Sequence, residues 1–296
     1  MHLATNCFRL LCCLLLSLGS RSSARAHGRA TMLYDAFGNS EHLKKDWGFS
    51  VLIEYSGKKI LFDTGNNSKI FAANAKALDV DLKNLDFVVI SHRHGDHTSG
   101  LSHLLKVNPK VKIYAPAELF GVFGSTLPSG FYKTVDSLPE SMRFRRGGTR
   151  GDPYGESVAG GELRVRRHPS GSRARHFHHT HSLQRQGNSG TPRAHLAIES
   201  PLGLVLVAGC SHPGVEEILS AASVVDSHVF MVLGGLHLVK TPNSEVERLA
   251  IALHDKWKIE RIALGHCTGE AAFAKLKQVF GPSYLYAGLG SHVDLP

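Results

Sequence analysis

Residues Ser91–Gly100 read SHRHGDHTSG. Within them His92, His94, Asp96 and His97 give four metal-ligating side chains in six residues, in the pattern H-x-H-x-D-H. Alternate histidines in an extended loop can converge on one cation. Asp96 and His97 turn the other way and can serve a second. Imidazole and carboxylate without thiolate suit Zn2+, with Mn2+ and Fe2+ as alternatives. Gly95 permits the sharp backbone turn between the two pairs. The preceding stretch Asp86–Ser91, DFVVIS, is apolar and β-branched and reads as a buried strand. The ligand-type residues therefore leave a sheet at its C-terminal end.

Working outward, the first half predicts a strand over Ala30–Tyr34 and a hairpin of Phe49–Tyr55 with Ile60–Phe62 around Ser56-Gly57-Lys58-Lys59. Asp63-Thr64-Gly65 closes that hairpin. Residues 67–77 carry a helical pattern, Thr98–Val107 reads as the helix after the histidine motif, and Val111–Ala115 as the next strand.

The second half repeats the style. Leu196–Glu199 and Leu204–Ala208 form a second hairpin around Pro201-Leu202-Gly203, ending in Gly209-Cys210-Ser211-His212-Pro213-Gly214, with a helix from Val215. His228–Leu233 is a strand ending in Gly234-Gly235-Leu236-His237. Residues 243–256 form an amphipathic helix. Ile259–Leu264 is a strand ending in Gly265-His266-Cys267-Thr268-Gly269, and a helix runs on to about Phe280. Strand, histidine, helix is thus the recurring unit, and it sets ligands along one rim of a layered α/β domain.

The segment 143–193 departs from this grammar. It holds 11 arginines, no lysine and 3 acids, which accounts for +8 of the chain's net charge of +9. Only 9 of its 51 residues are apolar. Taken alone, it reads as a disordered basic insert. Because the basicity belongs to this one stretch, a nucleic-acid partner is not expected of the domain. Back-translation offers a sharper reading. One constant single-nucleotide offset turns residues from about 156 to 193 into a mixed-charge, strand-like peptide that runs into Leu196-Ala197-Ile198-Glu199. The chain reads as frameshifted between about Phe144 and His195, and a catalytically inactive product is the alternative that this implies.

At the N-terminus, Leu10–Gly19 is a short apolar run followed by Ala24-Arg25-Ala26. Residues 1–26 read as a secretory signal, giving a secreted or periplasmic protein, or a cytoplasmic one if the start codon lies downstream. No later stretch is long and apolar enough to span a membrane. Three of the five cysteines lie in this leader, and Cys210 and Cys267 each stand near a motif histidine, so a disulfide framework is not expected.

With these motifs in view, the chain resembles the metallo-β-lactamase superfamily, and within it the 7,8-dihydropterin-6-yl-methyl-4-(β-D-ribofuranosyl)aminobenzene-5′-phosphate synthases. The resemblance rests on Asp46-Trp47-Gly48-Phe49-Ser50, Leu61-Phe62-Asp63-Thr64-Gly65, the motif at 91–101, GCSHPG at 209–214, GGLHL at 234–238 and HCTG at 266–269. It implies a single α/β domain over residues 27–296, folded as an αββα sandwich with metals at one edge of the sheets. It implies a two-zinc hydrolase in which a metal-bridging hydroxide attacks a small, phosphorylated substrate. By resemblance His92 and His94 go to the first ion, and Asp96, His97 and His266 to the second. Cys210 stands where the superfamily usually has a bridging Asp. His212 is the expected substitute ligand, with Cys210 the weaker candidate. His237 is expected as a substrate-facing group or ligand, Asp96 or a nearby His as the proton carrier, and Asp63 as the carboxylate that orients a ligating histidine.

Overall fold

The computed structural model describes residues 28–116, 139–142, 176–177, 180–186 and 192–296, with side chains from 193 onward in the last of these. The leader reading over 1–26 and most of the anomalous segment lie outside the described residues.

Two sheets form. The first runs in the order β12 (His292–Leu295), β1 (Gly28–Tyr34), β2 (Ser50–Tyr55), β3 (Lys58–Phe62), β4 (Phe87–Val89), β5 (Ile113–Tyr114). The second runs β11 (Arg261–Leu264), β10 (Val229–Gly234), β9 (Gly203–Ala208), β8 (Pro192–Ser200), β7 (Thr180–Gln186), β6 (His176–Phe177). In each sheet an antiparallel hairpin adjoins parallel strands: β3, β4 and β5 in the first, β9, β10 and β11 in the second.

Strand alternation decides which side chains meet. Val51, Ile53, Val205, Val207, Met231 and Leu233 share one buried layer between the sheets. Their neighbours turn outward. Leu52 packs with Phe71 and Leu104 under α1 (Ser68–Ala77) and α3 (Leu101–Val107). Leu204, Leu206 and Val232 pack with Ile218, Leu249 and Phe273 under α4 (Val215–Ala222), α5 (Asn243–Ile251) and α6 (Glu270–Phe280). Three apolar layers between four structural ones are the expected αββα sandwich.

Two expectations need correction. The helix expected over Thr98–Val107 is broken into α2 (Gly95–Thr98) and α3. Gly100 lies against the chain after β3, where an added Cβ would meet the Thr64 carbonyl oxygen at 2.2 Å, and Ser99 N–H is drawn to Gly65 O. The segment expected to be a disordered insert contributes β6, β7 and the start of β8. β7 pairs antiparallel with β8 from Thr180↔Ile198 to Gln186↔Pro192. Ladder hydrogen bonds use the backbone, so β7 can pair with β8 although the sequence of 180–186 shows no strand periodicity.

Candidate metal centre

The parallel strands of both sheets end on the same rim. The Ser91–Gly100 loop follows β4, Cys210 and His212 follow β9, His237 follows β10 and His266 follows β11. The six expected ligands are brought together there, and Cys210 lies among them. Ligand atoms of His92, Cys210 and His212 lie within 4.8 Å of one another, as do those of His97, Cys210 and His266.

The first group centres on His92 Nε2, 3.0 Å from His94 Nδ1. Two nitrogens on one tetrahedral zinc, each about 2.1 Å from it, stand roughly 3.4 Å apart, so this pair already has nearly that span. The His212 ring is 5.1 Å from the His92 ring and 5.2 Å from the His94 ring. In the second group Asp96 Oδ2 is 3.6 Å from His97 Nε2 and 3.4 Å from His266 Nε2, and Cys210 Sγ is 3.6 Å from His97 Nε2. His237 stacks on His212 with ring centres 3.9 Å apart.

Asp63 organises the rings from below. Its Oδ2 lies 2.6 Å from His97 Nδ1 and accepts the Ser91 hydroxyl at 2.7 Å, while Oδ1 accepts Ser91 N–H. Ser91 Oγ is in turn 2.8 Å from His92 Nδ1. One buried carboxylate thus fixes two rings with Nδ1 turned away and Nε2 facing the centre, which sets their tautomers. Gly209 makes room for it, because a Cβ there would strike Asp63 Oδ2 and Ser91 Oγ at 2.4 Å.

The backbone is held in left-handed conformations at Asp63 (φ 56°), His237 (φ 57°) and His266 (φ 49°). Non-glycine residues adopt this region at a cost and concentrate at functional sites. At His266 the cause is visible. Fully buried Asp35 accepts its N–H at 2.9 Å, and Trp47 packs on its ring with centres 4.5 Å apart. Burial pushes the Asp35 carboxyl well above its ordinary range, opposed by the Ala36 and His266 amides.

Electrostatics keep most rings ready to ligate. Burial, then the neighbouring His97 and Arg193, holds His92 well below its usual range. Burial lowers His94 to about 4 and His212 to about 2. These three are neutral at working pH, as a metal ligand must be. Burial also acts against protonated His97, but Asp96 and Asp63 outweigh it and raise the ring. Burial lifts the Cys210 thiol. Burial opposes the Cys267 thiolate too, but the hydrogen bond from Cys210, then His266 and His237, bring Cys267 well below its ordinary range.

The residues fit a divalent metal. Neither ring nitrogen of buried His266 has a hydrogen-bond partner, nor has His212 Nε2 or His237 Nδ1, among the described residues. Buried polar atoms are rarely left so, and divalent cations on this rim would satisfy one nitrogen of each ring. The metallo-beta-lactamase superfamily model matches residues 47–266. The chain belongs to the metallo-β-lactamase superfamily. Membership implies divalent-metal binding, and its His/Cys clusters supply candidate sites. The chain is 28% identical over 287 residues to the 7,8-dihydropterin-6-methyl-4-(beta-D-ribofuranosyl)-aminobenzene-5′-phosphate synthase of Methanocaldococcus jannaschii, covering 87% of this chain and 94% of that one. It is 30% identical over 96 residues to ribonuclease Z of Alkaliphilus oremlandii, covering 32% of this chain and 29% of that one. Among solved structures it is similar to Tm1679, a metal-dependent hydrolase of the beta-lactamase superfamily. That match has a TM-score of 0.67 at 24% identity and covers 91% of this chain and 99% of that one, a likeness of fold.

Two residues, Asp35 and Arg193, were not legible as belonging here, and of Cys267, which stands beside a motif histidine, only the partner was hidden. Asp35 is a single acid after a strand, with no motif around it. Cys267 gave no sign of meeting Cys210, which lies 57 positions away. Arg193 lies in the anomalous segment, yet it is buried and its charge lowers the proton affinity of His92, His94 and His212.

Proposed function

We propose that this chain is a two-zinc hydrolase acting on a small phosphorylated substrate. The observation that carries the reading is the convergence of ligand-type side chains from both sheets on one rim. In this assignment His92, His94 and His212 hold one ion and Asp96, His97 and His266 the other, with Cys210 between them. When bound, two such ions supply Lewis acidity and an acidified water near neutral pH. The chain's own residues do the rest. Asp96, whose Oδ2 lies beside His97 and His266, or a nearby His manages the proton. Asp63 keeps the His92 and His97 rings aimed. His237, on the β10 loop, faces substrate. The phosphorylated substrate class is supported by the name of the Methanocaldococcus jannaschii relative.

Purified protein is expected to hold about two zinc equivalents, measured by elemental analysis, and to cleave a generic phosphodiester such as bis-nitrophenyl phosphate. Loss of metal and turnover together in His92→Ala supports the reading. Metal-free protein indifferent to His92→Ala sinks it.

A second reading is favoured by one observation, the burial of Arg193 beside His92. A fixed positive charge there opposes cation binding. The frameshift reading of residues 144–195 accounts for it and gives an inactive product. The coding DNA is the test: codons that forbid the shifted peptide end the idea.

A further inference from the structure

Cys267 and His237 stand outside the ligand set proposed above, yet both face it. Cys267 Sγ lies 2.9 Å from Cys210 Sγ, and ligand atoms of Cys210, His237 and Cys267 all lie within 4.8 Å of one another. Both cysteines are free and buried. Two thiolates on one tetrahedral zinc, each about 2.3 Å from it, stand roughly 3.8 Å apart, so these sulfurs need to separate by only about 1 Å to hold a cation.

The surroundings present the three groups on a stiff frame. The Cys267 carbonyl accepts the N–H groups of Leu238 and Val239, and Thr268 Oγ1 accepts Leu236 N–H. The loops after β10 and β11 are therefore bolted together on both sides of His237, whose backbone stays left-handed. Gly235 leaves room for the sulfur, because a Cβ there would meet Cys267 Sγ at 2.7 Å. A single buried cysteine is ordinary core filler. Two sulfurs in contact, beside an imidazole whose Nδ1 has no hydrogen-bond partner among the described residues, are not explained by packing.

We propose that Cys210, Cys267 and His237 form a coordination subsite for a soft, thiophilic cation, on the wall of the centre across from the Ser91–Gly100 loop. It shares Cys210 with the two-zinc reading and rests on that reading in nothing else. Any proton still on either sulfur or on the liganding His237 nitrogen leaves to solvent on binding, and the two thiolates with one neutral imidazole hold the ion. Such a donor set selects Cd2+, Zn2+ or Cu+ over harder ions such as Mn2+.

The test uses the full chain, reduced and stripped of metal, titrated with Cd2+ and separately with Mn2+. Sulfur-to-cadmium charge-transfer absorbance is read at each step. Wild type is expected to show roughly twofold the absorbance of Cys267→Ser, and to take up about one equivalent more Cd2+ than Mn2+. His237→Gln is expected to weaken that Cd2+ step by roughly tenfold at unchanged absorbance. Cadmium NMR of the wild type counts the sulfurs on the ion without any variant, which covers the case of a misfolded Cys267→Ser. Equal absorbance in wild type and Cys267→Ser, a one-sulfur cadmium resonance, or a Cys210–Cys267 disulfide in the reduced preparation overturns the subsite. Failure of the two-zinc reading looks different: the Mn2+ and Zn2+ uptake that His92→Ala should abolish is then missing, while the two-sulfur cadmium signal remains.

Discussion

The Ser91–Gly100 loop and the first residues of β8 occupy the same buried space, joined where Ala194 N–H meets the Ser91 carbonyl at 2.8 Å. They treat their polar side chains in opposite ways. In the loop, His92 and His97 are tied through Ser91 and Asp63, and backbone, hydrogen bonds and burial agree. In β8, Arg193 and His195 are each 1% exposed, and neither ring nitrogen of His195 has a hydrogen-bond partner among the described residues. Ala194, Leu196 and Ile198 of the same strand pack between the sheets, and Ala197 packs on the helix side. Agreement across levels is what a selected sequence shows. The comparison teaches that a backbone ladder can be satisfied where the side chains contradict it.

The strongest way to break the loop's half of the comparison is Asp63→Ala. Removing the acceptor shared by His97 and Ser91 is expected to weaken zinc affinity by 10- to 100-fold, of the order that carboxylates behind ligating histidines command. Competition with a chelator measures it, and unchanged affinity would show that the rings hold themselves. Arg193→Met sharpens the other half with the opposite sign. Taking a buried positive charge away from His92 is expected to raise zinc affinity by roughly tenfold, read by the same competition. A fall in affinity would mean that Arg193 supports the centre.

His195 gives a pH signature. Burial lowers it to about 3, from an ordinary 6.5. Between those values the unfolded chain takes up a proton that the folded chain refuses. Stability therefore falls as pH drops from about 6.5 to about 3, by up to roughly 1.4 kcal/mol per pH unit, and levels off below. Denaturant titrations at several pH values should show that slope reduced in His195→Leu. An unchanged slope would place the acid sensitivity elsewhere. The smallest effect is expected far from both regions. Arg248 bonds Glu245 and Glu216 at the surface, and Arg248→Ala should cost less than about 1 kcal/mol. A larger loss in thermal melting would show that the rim chemistry does not dominate.

The contrast also explains what was legible in the sequence. Val51, Ile53, Val205 and Val207 declared their strands because period-two alternation and burial coincide there. His92 to His97 read as a candidate metal site because four ligand types in six residues have little other use. The break at Gly100 was hidden, since it answers to the Thr64 carbonyl rather than to helical periodicity. β7 was hidden because its pairing with β8 is a property of the backbone. Asp35, the meeting of Cys267 with Cys210 and the depth of Arg193 were hidden because each depends on residues far away in the chain.

That distance has a consequence for synthesis. The Asp35 carboxyl group waits for an amide 231 positions later, and β1 waits for β12, about 260 residues downstream. The N-terminal sheet cannot close before β12 has emerged, nor can its buried acid find its donor before His266 has. Contacts so remote make assembly slow and leave β1 open at its edge meanwhile.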